Sequence, residues 1–373
     1  MWFFDLFTQK IGIDLGTSNT LVYVSNNGIT VNEPSVVAIR IRSNEVCAVG
    51  QDAKLMLDRT PKAIKAIRPL QNGVIADFDV TRAMVKYFID KSLNKRKFVK
   101  SDVVICVPVG VTSIEKRAVE EVAYDSGARR VKLVEEPMAA AIGANIDVDK
   151  PVGNMIVDIG GGTTEIAVIS LGGIVTSDSL RIAGDDMDVS VKDYIKSKYK
   201  MEIGLVTAEK IKTTIGNASK EFYDINHHTK IEKNDNEKDG KDEKGNDDKE
   251  NEGKKEVDEY KKDEQEYPEQ MQIRGRDIVS GLPLNIIVTN DEIREAIMET
   301  ISSILSAIKR VLEKTPPELS SDIYSNGIYL TGGGALLKGL DMFIEKETGL
   351  KVFIAEKPLD SVVLGAGKIC ETM

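Results

Sequence analysis

Apolar and polar positions divide this chain into short β-type runs closed by glycine and longer stripes of helical period. Ile11-Gly12-Ile13 and Leu21-Val22-Tyr23-Val24 flank Asp14-Leu15-Gly16-Thr17-Ser18-Asn19-Thr20. Met155-Ile156-Val157 and Ile166-Ala167-Val168-Ile169 flank Asp158-Ile159-Gly160-Gly161-Gly162-Thr163-Thr164. β-rich runs around a glycine cluster read as tight hairpins. Both turns share one pattern: Asp, aliphatic, Gly, three small residues, Thr. A single copy is a weak signal, because glycine turns after strands are common. Two copies in matching contexts read as an internal repeat, one per half of the chain.

The remaining pattern fills in around this pair. A further strand is expected around Val36–Ile39, a short helix at Ala53–Leu57, and a helix over 81–93 from the spacing of Ala83, Met84, Tyr87, Phe88 and Leu93. Val103–Pro108 reads as a strand buried on both faces. Thr112-Ser113-Ile114-Glu115 is a capping-box pattern, opening a helix that should end near Gly127. Glu135-Glu136-Pro137 leads into Met138–Ile142, with proline suited to the first helical position. Residues 155–182 repeat the strand meander of the first half. Helices are expected over 185–198 and from Thr207 toward Gly216. A second capping box, Thr289–Glu292, precedes the long stripe Ile293, Ile297, Ile301, Ile304, Leu305, Ile308, Leu312. Ile328-Tyr329-Leu330 runs into Thr331-Gly332-Gly333-Gly334, which should open a helix. Gly365-Ala366-Gly367 reads as a last glycine turn beginning the C-terminal helix.

Composition bounds what this α/β framework can be. At 373 residues, 41% hydrophobic and 29% charged, the chain fits a two-domain globular protein. A net charge of -10 argues against nucleic acid as a partner. Most of it is local: residues 230–269 hold 17 acidic and 10 basic side chains, a net of -7. The tract over about 225–268 has almost no apolar residues, so it reads as a disordered acidic insertion. Cys47, Cys106 and Cys370 show no metal or redox spacing, which fits a reducing cytosol. His227 and His228 lie in a polar stretch, so a histidine-based site is not indicated. No apolar run approaches the ~20 residues of a membrane span. The N-terminus crowds Trp2, Phe3, Phe4, Leu6 and Phe7 into seven residues, and a basic patch surrounds Phe98 and Val99 (Lys95, Arg96, Lys97, Lys100). The aromatic cluster either packs under the first domain or inserts into a membrane interface, where Trp and Phe are favoured.

Three glycine-rich turns after strands, two with Asp and Thr, suit a nucleoside triphosphate. Glycines let backbone N–H groups approach phosphates. Asp14 and Asp158 would hold Mg²⁺ through its waters, since Mg²⁺ sheds water reluctantly. There is neither a P-loop nor a dinucleotide fingerprint. Glu136, straight after a strand and beside a helix start, is placed to orient an attacking water; the alternative is that Glu135 and Glu136 only complement the helix dipole.

With these turns, the stretch Glu135-Glu136-Pro137-Met138-Ala139-Ala140-Ala141 and Leu330-Thr331-Gly332-Gly333-Gly334-Ala335-Leu336-Leu337, the sequence resembles the actin and heat-shock-chaperone ATPase superfamily. Asn32-Glu33-Pro34-Ser35, Ile67-Arg68-Pro69, Arg181-Ile182-Ala183-Gly184-Asp185, Gly281-Leu282-Pro283 and Glu313–Leu319 make it more similar to the MreB family of bacterial actins. The resemblance implies an actin-like fold: two duplicated lobes around a nucleotide cleft, each with a smaller subdomain. The first lobe would hold 1–150 and 362–373, its subdomain about 38–80. The second would hold 151–361, its subdomain about 187–290. It also implies roles. Asp14, Gly16, Thr17, Ser18 and Asn19 would contact phosphates and metal from one side. Asp158, Gly160, Gly161, Gly162 and Thr163 would do so from the other. Glu209 and Lys212 would hold the adenosine, and Thr331, Gly332, Gly333 and Gly334 would line the base. Glu136 and Thr163 would position the hydrolytic water. The implied activity is a slow, Mg²⁺-dependent ATPase coupled to polymerisation. The implied product is double filaments at the inner face of the cell membrane, working with the cell-wall elongation machinery to keep a rod shape, and anchored by Trp2, Phe3, Phe4, Phe7, Phe98 and Val99. Rival readings are a sugar- or acetate-kinase-like phosphotransferase and an ATP-binding scaffold with negligible hydrolysis. A chaperone ATPase would need a substrate-binding domain after the nucleotide domain.

Overall fold

The computed structural model describes residues 8–93, 100–222 and 267–373. The N-terminal cluster, Phe98 and Val99 of the basic patch, and all but the last two residues of the acidic insertion lie outside them. In the first half, β1 (Thr8–Leu15), β2 (Asn19–Val24) and β3 (Gly28–Pro34) form a meander. A small sheet follows, of β4 (Val37–Arg40), β5 (Val46–Val49) and β6 (Ile64–Ile67), with α1 (Gln51–Lys54) between the last two. Next come the hairpin β7 (Leu70–Gln71) and β8 (Val74–Ile75), then α2 (Phe78–Ser92). β9 (Lys100–Val107), α3 (Ser113–Asp125), β10 (Ala128–Glu135) and α4 (Glu136–Gly143) follow in order.

The second half repeats this plan. β11 (Asn154–Ile159), β12 (Thr164–Ser170) and β13 (Gly173–Leu180) form the meander, followed by α5 (Gly184–Tyr199). β14 (Met201–Glu202), β15 (Gln270–Asp277) and β16 (Pro283–Thr289) make a small sheet, with α6 (Leu205–Ile215) between the first two. The chain then runs through α7 (Asn290–Lys314), α8 (Pro317–Asn326), β17 (Ile328–Thr331), α9 (Leu340–Thr348), β18 (Val352–Ile354) and α10 (Ser361–Thr372).

The two large sheets have one topology, β10-β9-β1-β2-β3 and β13-β12-β11-β17-β18. In each, an antiparallel meander lies on one side of the first strand and two parallel strands lie on the other. The register repeats too: Asp14 pairs with Leu21 and Cys106, and Asp158 with Glu165 and Thr331. The apolar runs of the sequence become the sheet cores. Ile11, Ile13, Val103 and Ile105 are buried in the first, Ile156, Val157, Ile166 and Val168 in the second.

Between the sheets lie α4 and α10, with Ala139, Ala140, Ala141, Val362 and Ala366 packed on Val104, Cys106, Ile156 and Ala167. Gly365-Ala366-Gly367 is not a turn but the middle of α10. Close packing explains these glycines. A Cβ on Gly365 would stand 1.8 Å from the Ala139 carbonyl oxygen, and one on Gly367 would stand 2.5 Å from the Tyr23 ring.

Both capping boxes form, at Thr112/Glu115 and Thr289/Glu292. Other helix starts move by a residue or two. α6 begins at Leu205 rather than Thr207. Pro137 stands second in α4 rather than first. The third glycine turn opens a 3-10 turn, Gly333–Leu336, rather than an α-helix.

Candidate functional site

The ends of the two hairpins face each other across the cleft. Their tips nearly touch: a Cβ on Gly161 would lie 2.0 Å from Ser18 Oγ, and one on Gly162 2.6 Å from Thr17 Oγ1. No other residue type leaves room for that approach. Each tip is held from behind by a motif noted in the sequence. Behind the first, Ser35 Oγ donates to Gly16 O at 2.6 Å and Ser35 N to Ser18 O at 2.9 Å. Behind the second, Asp185 N donates to Gly161 O at 2.8 Å, and Thr164 Oγ1 to Ile182 O at 2.8 Å.

The hairpins border a cavity of about 490 Å³, within the range of small-molecule sites. Asp14, Gly16, Thr17, Ser18 and Asn19 line one wall, and Asp158, Gly160, Gly161, Gly162 and Thr163 the opposite one. Glu136 closes the floor between them. Glu209, Lys212, Gly332, Gly333 and Gly334 line the far end. Of the expected nucleotide residues, Thr331 alone does not reach the cavity. It is fully buried and its hydroxyl donates to Asp158 Oδ1 at 2.9 Å, so it fixes that carboxylate from behind. Gly332 and Gly334 also have a packing reason to be glycine: a Cβ on either would stand about 2 Å from Ile159 atoms, 2.3 Å and 2.2 Å respectively.

Glu209 and Lys212 do not pair with each other. Lys212 Nζ donates to Gly184 O at 2.7 Å and lies 2.8 Å from Asp188 Oδ1. Glu209 pairs at 2.9 Å with Lys54, which reaches over from α1.

Asp14, Asp158 and Glu136 line the floor, and a fourth carboxylate, Glu165, lies buried close behind them. Burial pushes Asp14 up to about 7, with the neighbouring Asp158 charge adding to it. Burial pushes Asp158 up to about 6, opposed by the Thr331 hydroxyl. Glu136 is raised well above the carboxylate range by burial first, then by Glu165, Asp14 and Asp158. Glu165 is raised to about 7 by burial, opposed by donors from Ser179 Oγ at 2.7 Å and Val109 N at 3.0 Å. Among the described residues, no Lys or Arg forms an ion pair with any of the four. Such a set favours a divalent cation. No three His, Cys, Asp or Glu side chains converge among the described residues as a direct ligand set. Asp14 and Asp158 therefore suit an ion that keeps most of its waters, as Mg²⁺ does.

Sequence reasoning missed Glu165, Lys54, Arg68, Asp185 and Gly73. Glu165 had a signal: it is the only charge in β12, whose residues are all buried. Gly73 had a weaker one. It follows Asn72 in an Asn-Gly turn, both with positive φ, and its N–H donates to Thr17 Oγ1 at 3.0 Å.

Comparison with known proteins agrees with this geometry. The profile of the MreB/Mbl protein family matches residues 8–239 and 245–373. The chain is 46% identical to the cell shape-determining protein Mbl of Bacillus subtilis over 368 residues, 99% of this chain and 97% of that one. It is 44% identical to the cell shape-determining protein MreB of Escherichia coli over 376 residues, 98% and 94% respectively. Among solved structures, MreB5 of Spiroplasma citri bound to AMPPNP superposes with a TM-score of 0.80 at 35% identity, covering 98% of this chain and 96% of that one. The MamK double helical filament shares the fold, with a TM-score of 0.74 at 20% identity, covering 98% and 99%. The fold is therefore actin-like, and the chain belongs to the MreB/Mbl family of cell shape-determining proteins.

Proposed function

We propose that this chain is an ATPase whose hydrolysis serves assembly into membrane-bound double filaments that organise cell-wall synthesis and maintain rod shape. One observation carries the reading: two glycine hairpins meet tip to tip over a floor of three carboxylates without ion-pair partners, Asp14, Asp158 and Glu136. The backbone N–H groups and hydroxyls of Thr17, Ser18, Asn19, Gly161, Gly162 and Thr163 bind the phosphates from both sides. Asp14 and Asp158 would hold Mg²⁺ through its waters, and the ion would supply charge neutralisation at the phosphates. Glu136, aided by Thr163, orients the attacking water. The AMPPNP- and ADP-bound states of Spiroplasma citri MreB5 support a nucleotide in this cleft.

We assign the lobes as 1–150 with 362–373 and 151–361, with subdomains over about 38–80 and 187–290; the two five-stranded sheets, each followed by a small sheet, support this division. The membrane reading has one structural support. β1 and β9 are parallel and start in register, Thr8 against Lys100. The N-terminal cluster and the Phe98-Val99 patch thus join the fold at neighbouring points. Among the described residues, no helix is long and apolar enough to cross a membrane.

Purified protein with ATP and Mg²⁺ should release phosphate without any phosphorylated acceptor, and should pellet as polymer. A phosphorylated sugar or carboxylic acid appearing instead identifies a phosphotransferase.

A further inference from the structure

The side chains of Arg68 in Ile67-Arg68-Pro69 and of Asp185 in Arg181–Asp185 have no task in the chemistry above, yet the fold brings them together. Arg68, at the end of β6, reaches across the cleft to Asp185 in the first turn of α5, with Nη1 2.7 Å from Oδ2. The other carboxylate oxygen, Oδ1, accepts from Ser18 Oγ at 2.9 Å. The backbone N–H of Asp185 donates to Gly161 O at 2.8 Å. One residue thus joins the small sheet of the first half, the first hairpin and the second hairpin. Arg68 and Asp185 are 27% and 30% exposed at their side chains, so water screens the pair only in part.

Asp185 also lines the cavity. A carboxylate beside a polyphosphate site is repulsive unless its charge is balanced, and Arg68 is the cation that the structure places on it. We propose that Arg68 is a positioning and charge-balancing residue for the triphosphate. It neutralises Asp185, which can then fix Ser18 and Gly161 without repelling the ligand. The inference rests on the reading of this cavity as the ATP site. Lys54, paired with Glu209 at the far end, leaves Asp185 untouched and is not a substitute.

The test is affinity for a fluorescent ATP analogue with Mg²⁺, below the concentration for assembly. Arg68→Gln should weaken binding about tenfold, because Asp185 is then an uncompensated charge. Asp185→Asn alone should change it less than about threefold, since an amide oxygen still accepts from Ser18. The double variant Arg68→Gln/Asp185→Asn should return to within about threefold of wild type, because the repulsive charge is gone. A role confined to packing predicts no such recovery. Arg68→Lys, which keeps the charge, should bind within about threefold of wild type. Thermal melting without nucleotide verifies that each variant is folded. If the folded Arg68→Gln variant binds like wild type, or the double variant stays as weak as the single, the proposal is overturned. Failure of wild type to bind the analogue overturns instead the assignment of the cavity.

Discussion

Glu136 is set apart from Glu135, its sequence neighbour, by where the strand ends. Glu135 caps the strand at the surface and pairs with Lys116 at 3.7 Å. Glu136 turns inward, 8% exposed, to face three other carboxylates. Glu136→Ala should keep ATP affinity within a few fold and lower phosphate release by about 10²–10⁴-fold, because only the orientation of the attacking water is removed. Unchanged release would make it structural. The floor also predicts a pH dependence. Asp14, Asp158 and Glu165 titrate near 7, 6 and 7 in the folded chain, and near 4 when unfolded. The folded state therefore binds more protons, and stability falls as pH rises through that window. Without nucleotide or Mg²⁺, the melting temperature should drop from pH 5 to pH 8 and level off above it. Asp158→Asn keeps the acceptor for Thr331 and should stabilise the protein at pH 8 by about 3 kcal/mol. A melting temperature flat across pH 5–8 in wild type contradicts this.

At the scale of elements, the contact of α4 with α10 depends on absent side chains. Glycine inside a helix costs about 1 kcal/mol relative to alanine, yet here alanine is the worse residue. Gly365→Ala places a methyl group 1.8 Å from the backbone oxygen of Ala139, and neither helix can yield without opening the core between the sheets. A loss of about 1–3 kcal/mol is expected in urea denaturation; a gain would show that the helices have slack. The acidic insertion is the opposite case. Phe222, before the insertion, and Tyr267, at its end, meet edge to face with ring centroids 5.3 Å apart. A short linker can therefore replace Asn226–Glu266. The shortened chain should keep its melting temperature and ATPase activity, and a large drop in either would show that the tract contributes to the fold.

For the whole molecule, assembly multiplies weak contacts. Each Lys or Arg near an anionic surface contributes roughly 1 kcal/mol, and two anchors repeated along a filament give strong avidity. Because β1 and β9 start side by side, residues 2–7 and Phe98-Val99 attach to the fold at the same end of the sheet. Filaments should co-sediment with anionic liposomes in ATP. Removing residues 2–7 and changing Phe98 and Val99 to Ser should release them from lipid while polymer still forms. If the doubly altered filaments still pellet with lipid like wild type, the anchor lies elsewhere.

The sequence by itself determined the pieces whose signals are local. Strand-Gly-strand patterns marked both hairpins, Thr-x-x-Glu marked both capped helices, and the repeated Asp-aliphatic-Gly motif marked the duplication that the registers of Asp14 and Asp158 display. It also named the glycine-turn residues that border the cavity, about half of its lining, because a close backbone approach needs glycine wherever it occurs. What it misplaced depended on distant partners. Gly365 and Gly367 read as a turn because a glycine pair is a turn signal until a second helix is known to lie against it. Thr331 read as a ligand contact, but β17 beside β11 turns its hydroxyl to Asp158. Arg68 and Asp185 are 117 residues apart, and no periodicity links them. Only the closing of one half on the other decides that they meet, because a cross-cleft ion pair is set by the packing of two sheets and not by any local preference of the chain.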